Sequence, residues 1–260
     1  MRLFDHPIAP NQKLKPFRFI LLCAGFIALR PLTAWAGPPF ETDDPEPVDL
    51  GHWEVYAAAS YFGNGSGATG TAPQVEVNYG AFPDIQLHVI APFAFNAPKI
   101  GSSFYGYGDT ELGIKFRLVS DWDSNFQMAT FPLVELPTGN KTQGLGSGQT
   151  QAFIPLWFQK QLGPFTSYGG GGYWINPGLG NRDWVYLGWA VEDQLDALLT
   201  LGGELNFHTS PVASGTNVTG WNGGGRLNLD SGNHLMLSLG RDFTQGSITF
   251  RGYAAYQWTF

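Results

Sequence analysis

Apolar and polar residues alternate along most of this chain, and residues 247–260, "SITFRGYAAYQWTF", show the pattern most clearly. One set of positions reads Ile248, Phe250, Gly252, Ala254, Tyr256, Trp258 and Phe260, and the other Thr249, Arg251, Tyr253, Ala255, Gln257 and Thr259. A period of two puts these sets on opposite faces of a strand. The same reading predicts strands over 51–62, 72–80, 84–93, 108–119, 125–136, 149–160, 164–175, 183–192, 197–208, 217–229, 232–242 and 247–260. Helices are not expected, because no fifteen-residue stretch keeps a 3.6-residue period without Gly or Pro.

The connections sort by parity. Those after even strands are short ("AFP", "SDWDS", "QLGP", "DQLD", "DS"), and those after odd strands are mostly longer and rich in Gly, Asn and Ser ("GNGSGATGT", "NAPKIGSSFYGY", "PTGNKTQGLGSG"). Only the last odd connection, "FTQG", is tight. An even strand number with short turns at one end and long loops at the other predicts a closed antiparallel transmembrane β-barrel. It has about 12 strands, long extracellular loops and short periplasmic turns. Leu112, Ile114, Phe116 and Leu118 then face lipid while Glu111, Lys115 and Arg117 face the lumen. Leu235, Leu237 and Leu239 are separated in the same way from His234, Met236 and Ser238. A charge facing mid-bilayer lipid costs roughly 2–4 kcal/mol, which enforces the sorting. The glycine run 169–172 and Gly223 to Gly225 mark places where strands bend or pack against bulky neighbours.

Composition agrees. Charged residues are 13% and aromatic residues 15% of the chain, against a usual charged share of about 25%. Such a chain cannot supply a full polar coat. Residues 1–36 differ: Arg2, Lys13, Lys15 and Arg18 precede the apolar run "FILLCAGFIAL" and then "TAWA". This is the plan of a secretory signal peptide cut near Ala36, its apolar run being too short to span a bilayer. Cys23, the single cysteine, falls inside it, and Leu22 before it argues against a lipoprotein. Five of 14 basic and one of 21 acidic residues lie in 1–36, so the remainder carries 9 and 20, a net charge of −11. That balance excludes nucleic acid as a partner. The expected organisation is a signal peptide (1–36), an acidic periplasmic leader or plug (37–50) and a barrel (51–260).

Three stretches carry a family resemblance: "PPFETDDPEPVDLGHWEV", "ELPTGNKTQGLGSGQT" and the aromatic strand 247–260. In order and spacing they resemble the bacterial outer-membrane transporter family associated with the meta-pathway of phenol degradation. The resemblance implies a monomeric barrel in a Gram-negative outer membrane, close to the catabolism of aromatic or hydrophobic compounds. An aromatic terminal strand also resembles the signal read by the barrel-assembly machinery, which makes Tyr256, Trp258 and Phe260 the assembly residues.

The candidate chemistry lies inside. Glu54, Tyr56, Glu76, Glu111, Lys115, Arg117, Glu135, Glu192, Glu204, Arg226 and Arg251 are expected to line the lumen, either as a selectivity lining or as ion pairs filling a closed barrel. The leader's Glu41, Asp43, Asp44, Glu46 and Asp49 suit a solvated tether kept extended by Pro45 and Pro47, a plug, or carboxylate ligands for a divalent cation. "PTGNKTQGLGSG" lacks the Lys-Ser/Thr and the helix of a phosphate loop. His52, His88, His208 and His234 sit on separate strands outside any nucleophile motif, so no enzyme, metal or cofactor is expected. The expected role is passive uptake of small hydrophobic or aromatic compounds, with 63–71, 94–107 and 137–148 as entrance loops and outer-membrane lipid as surroundings. The alternatives are an outer-membrane lipid hydrolase and a closed barrel without transport.

Overall fold

A computed structural model describes residues 39–121 and 123–260. The signal peptide expected over 1–36 lies outside them. Fourteen strands form one antiparallel sheet: β1 (Trp53–Asn64), β2 (Gly67–Phe82), β3 (Ile85–Pro98), β4 (Phe104–Tyr107), β5 (Thr110–Asp121), β6 (Phe126–Thr130), β7 (Leu133–Leu136), β8 (Gln151–Leu162), β9 (Phe165–Ile175), β10 (Trp184–Gln194), β11 (Leu199–His208), β12 (Val218–Asn228), β13 (Asn233–Thr244) and β14 (Ser247–Thr259). Among the described residues the only helix is a 3₁₀ turn at Lys141–Gln143.

The sheet closes on itself. β1 pairs with β2 on one side and with β14 on the other, in register from Glu54↔Thr259 to Gly63↔Phe250. Trp53 and Phe260 complete the seam by exchanging backbone N–H···O bonds of 2.8 and 3.0 Å. β4 and β5 both pair with β3 and make one stave, and β6 and β7 together make another. Fourteen strands therefore give a closed barrel of twelve staves. Closure is what lets a sheet live in hydrocarbon, since no edge is left with unpaired polar groups.

Side chains sort across the wall as the alternation predicts. Leu112, Ile114, Leu118, Leu235, Leu237, Leu239 and Leu205 are exposed on the outside, while Lys115, His234, Met236, Ser238 and Arg251 are buried inside. Exposed apolar side chains run all round the cylinder, far beyond the patch that a soluble monomer tolerates.

Three expectations about connections are corrected. Residues 63–71 are not a loop: β1 runs to Asn64 and β2 starts at Gly67, leaving a two-residue turn. Backbone pairing from Tyr61↔Gly70 to Asn64↔Gly67 carries this glycine-rich hairpin, and the Ser60 and Thr71 hydroxyls bond across its base at 2.9 Å. Residues 94–107 are likewise mostly ladder, with β3 reaching Pro98 and β4 folding back on it. The strand expected over 125–136 breaks at Phe131–Pro132. Pro132 has no N–H to give, and Pro155 on β8 has none either. Thr130 bridges the gap by donating its hydroxyl to the Pro155 carbonyl at 2.7 Å. The turns at the end where Trp53 meets Phe260, 83–84, 123–125, 163–164, 195–198 and 229–232, are all short. The longer connections 137–150, 176–183 and 209–217 share the opposite end.

Candidate functional site

The lumen is crossed by the acidic leader. Leu50 and Gly51 bind Gly80 of β2 at the short-turn end, and the chain then runs inward towards Pro39. Val48 N–H donates to Gln86 on β3 at 2.9 Å. The Glu46 carboxylate accepts from the amides of Gln127 on β6 and Gln159 on β8. Asp43 and Asp44 lie 3.1 and 3.8 Å from the Lys115 ammonium on β5. Thr42 gives both its N–H and its hydroxyl to Glu204 on β11, at 2.7 and 2.6 Å. Glu41 accepts from Arg251 on β14 at 3.0 Å, and Arg251 also donates to Asp242 at 2.9 Å. Phe40 packs on Tyr168 and Ala190, and the Pro39 carbonyl accepts from Ser238 on β13.

Glu41, Asp43 and Glu46 of this strap thus each find a donor on the wall. Burial holds the Asp44 carboxyl well above its usual range against the pull of Lys115, and pushes the Glu46 carboxyl up to about 7 against Gln159 and Gln127. Lys115 is only 4% exposed, and a buried cation of this kind is tolerable only when paired. Its ammonium also stands 5.0 Å from the Phe131 ring centre.

Beside the strap stands an aromatic wall. Phe153 of β8 stacks on Trp174 of β9 at 4.8 Å between ring centres, and Trp174 lies parallel to Trp184 of β10 at 5.3 Å. Trp184 meets His208 of β11 at 5.2 Å, while Trp157 sits edge-on to Tyr186 at 6.2 Å. Phe131 and Leu133 complete the group. These rings face inward, and glycines leave them space. A Cβ on Gly172 would come within 2.5 Å of the Phe153 ring, and one on Gly170 within 3.1 Å of Trp157.

At the long-loop end, residues 137–150 fold inward. The Asp109 carboxylate accepts from Gly139 N–H at 2.8 Å and Ser147 N–H at 2.6 Å, and Asn96 donates to the Gln143 carbonyl at 3.0 Å. Leu145 is buried by this fold. Beneath it lies a cavity of about 490 Å³, bordered by Ile90, Pro92, Ala94 and Leu145 and by the carboxylates Asp109, Glu111 and Glu135.

Of the residues expected to line the lumen, Tyr56, Glu76, Lys115, Glu192, Glu204 and Arg251 are buried, and the set divides among several separate contacts. Glu76 and Glu111 flank His88, at 3.7 and 2.9 Å. Lys115, Glu204 and Arg251 serve the leader. Arg117 pairs with Asp84 at the short-turn end and donates to Gln127. Glu54 accepts from Tyr56 and Glu192 from Tyr168. Glu111 faces Glu135 across the β5–β7 ladder, and Arg226 faces Met236 across β12–β13. Sequence reasoning missed Phe131, Phe153, Trp174, Trp184 and His208 as a group. Their shared inward phase was the available signal, but their stacking depends on register.

No protein-family model and no curated protein sequence matches the chain. Solved structures do. An outer-membrane channel from Pseudomonas putida F1 superposes with a TM-score of 0.69 at 14% identity, over 84% of this chain and 98% of that one. The NanC porin gives 0.55 at 6% identity over 78% and 98%, and the KdgM porin 0.53 at 11% identity over 79% and 99%. The fold is therefore similar to that of outer-membrane channels and porins.

Proposed function

We propose that the protein is an outer-membrane channel for passive passage of small hydrophobic or aromatic compounds. The observation that carries this is the wall of inward rings from Phe131 to His208, set in a barrel whose outside suits lipid. Stacked and edge-on rings offer a flat solute contact area at low conformational cost. Barrels similar to this one include channels and porins, and the resemblance of 38–55 and 135–150 to the phenol-degradation transporter family points the same way. In this reading the long-loop end faces outward, and the short-turn end, where the leader inserts, faces the periplasm. Residues 1–36 direct export and are cut off near Ala36, and the assembly machinery reads Tyr256, Trp258 and Phe260.

The histidines favour this over hydrolysis. Hydrogen bonds join His52 to the Leu50 carbonyl, His88 to Asn78 and Glu111, His208 to the Thr209 carbonyl and His234 to Asn228. These partners are carbonyls, amides and a carboxylate rather than the hydroxyl that a hydrolase activates. A second reading, a closed barrel without flux, is favoured by the strap across the lumen. Planar-bilayer recording separates them. We expect ionic current from the full chain, more after deletion of residues 37–50, and brief interruptions by aromatic solutes but not by polyols of equal size. Silence from both proteins would overturn the channel reading.

A further inference from the structure

The cavity beneath Leu145 is lined by apolar side chains, Ile90, Pro92 and Leu145 among them, by neutral polar ones, and by the carboxylates Asp109, Glu111 and Glu135, with Ile90 directly opposite Glu111. No lysine or arginine borders it. Asp109 is occupied by the loop's backbone N–H groups, and Glu111 by His88. Glu135 has no hydrogen-bond or ion-pair partner among the described residues, and it stands directly opposite Glu111 in the β5–β7 ladder. Like charges in directly opposed positions destabilise a sheet. That opposed pair of carboxyl groups borders the cavity. The cavity falls in the size range of small-molecule sites. Among the described residues no group of three His, Cys, Asp or Glu is gathered closely enough to hold a metal ion. A cavity of about 490 Å³ has room for an occupant larger than a metal ion, and its mixed lining suits one that carries both a charge and an apolar body. The aromatic wall begins two residues away on each neighbouring strand, with Leu133 beside Glu135 on β7 and Phe153 beside Gln151 on β8.

We propose that this cavity binds a small organic cation with an apolar body, of the protonated arylalkylamine class. The ammonium lies between Glu135 and Glu111, and the ring lies against Leu145 and Pro92. Placing this site on a solute's path rests on the channel reading.

Calorimetric titration of the detergent-purified full chain at pH 7 tests it, using benzylamine, benzyl alcohol and benzoate. Benzylamine is expected to bind about tenfold more tightly than the alcohol, a difference of about 1.4 kcal/mol, with benzoate weakest. Glu135→Gln, at a side chain that bonds nothing, is expected to leave the fold and the alcohol's affinity unchanged and to remove most of the amine's advantage. Glu111→Gln is expected to act in the same direction. Equal binding of amine and alcohol, an advantage that survives Glu135→Gln, or tighter binding of calcium chloride than of benzylamine would each overturn the proposal. Because titration reads occupancy and not flux, amine binding by a protein silent in bilayers would leave this site standing and remove the channel reading alone.

Discussion

Gly172 carries no side chain because Phe153 already occupies the place where one would go. A Cβ there would also meet the Pro155 Cα at 2.6 Å and the Ile154 carbonyl at 2.7 Å, and backbone cannot swing aside. Gly172→Ala is therefore expected to cost about 1–3 kcal/mol by overpacking, seen as a lower midpoint in thermal unfolding by circular dichroism in detergent. Gly223→Ala is the control, since a Cβ there meets nothing within 4 Å, and its midpoint should stay put. The sequence marked the run 169–172 as a crowded place and put Tyr56 inside by phase alone. It could not show that Trp174 and Trp184 lie face to face, because that depends on the Trp184↔Trp174 register, which the intervening turn sets. The inward charges were legible for the same reason of phase. Their partners were not, being set by the register between neighbouring staves or lying on the leader.

Among the elements, the leader departs most from what its residues suggest. Carboxylates this dense repel one another in water, and a tether is the natural expectation. What reverses it is the wall: Lys115 lies 72 residues from Asp43, and Arg251 lies 210 residues from Glu41. No local pattern reports such distances. Docking should depend on pH in a definite direction. The Glu46 carboxyl, raised from 4.5 to about 7, holds its proton more tightly in the docked leader than in a free one. Its contribution is fully present below pH about 4.5 and fades as pH rises through about 7. The raised Asp44 carboxyl works in the same direction. Lys115, Arg117, Gln127 and Gln159 face Glu46 from β5, β6 and β8, and Asp44 from the leader itself. Bilayer conductance is expected to rise between pH 5 and 8, and Glu46→Gln, which keeps an acceptor for both glutamines, to flatten that rise.

The whole cylinder was the most legible part, because the membrane imposes one rule on every stave. Apolar-out alternation and the parity of turn lengths gave closure and stave number. The prolines at 132 and 155 marked the weak point of the wall, although the resulting break in one predicted strand went unread. The glycine-rich stretches misled, since composition suggested loops where backbone pairing carries the ladder outward. At the seam, Trp258 and Phe260 face outward, 40% and 68% exposed, while the closing bonds to β1 come from backbone. Replacing both by Ser should spare those bonds and remove the aromatic anchors. The expected result is less protein in the outer-membrane fraction, measured by fractionation and immunoblot, with normal unfolding of the protein that does arrive.

The strap joins residues near the start of the chain to β13 and β14 near its end, so its resting place does not exist until the final staves are in position. The stretch that leaves the ribosome early is the one that settles last. Until then a partly built cylinder trails an acidic, unstructured tail that any protease can cut, and afterwards the same tail is out of reach. Its disappearance from solution marks a finished molecule.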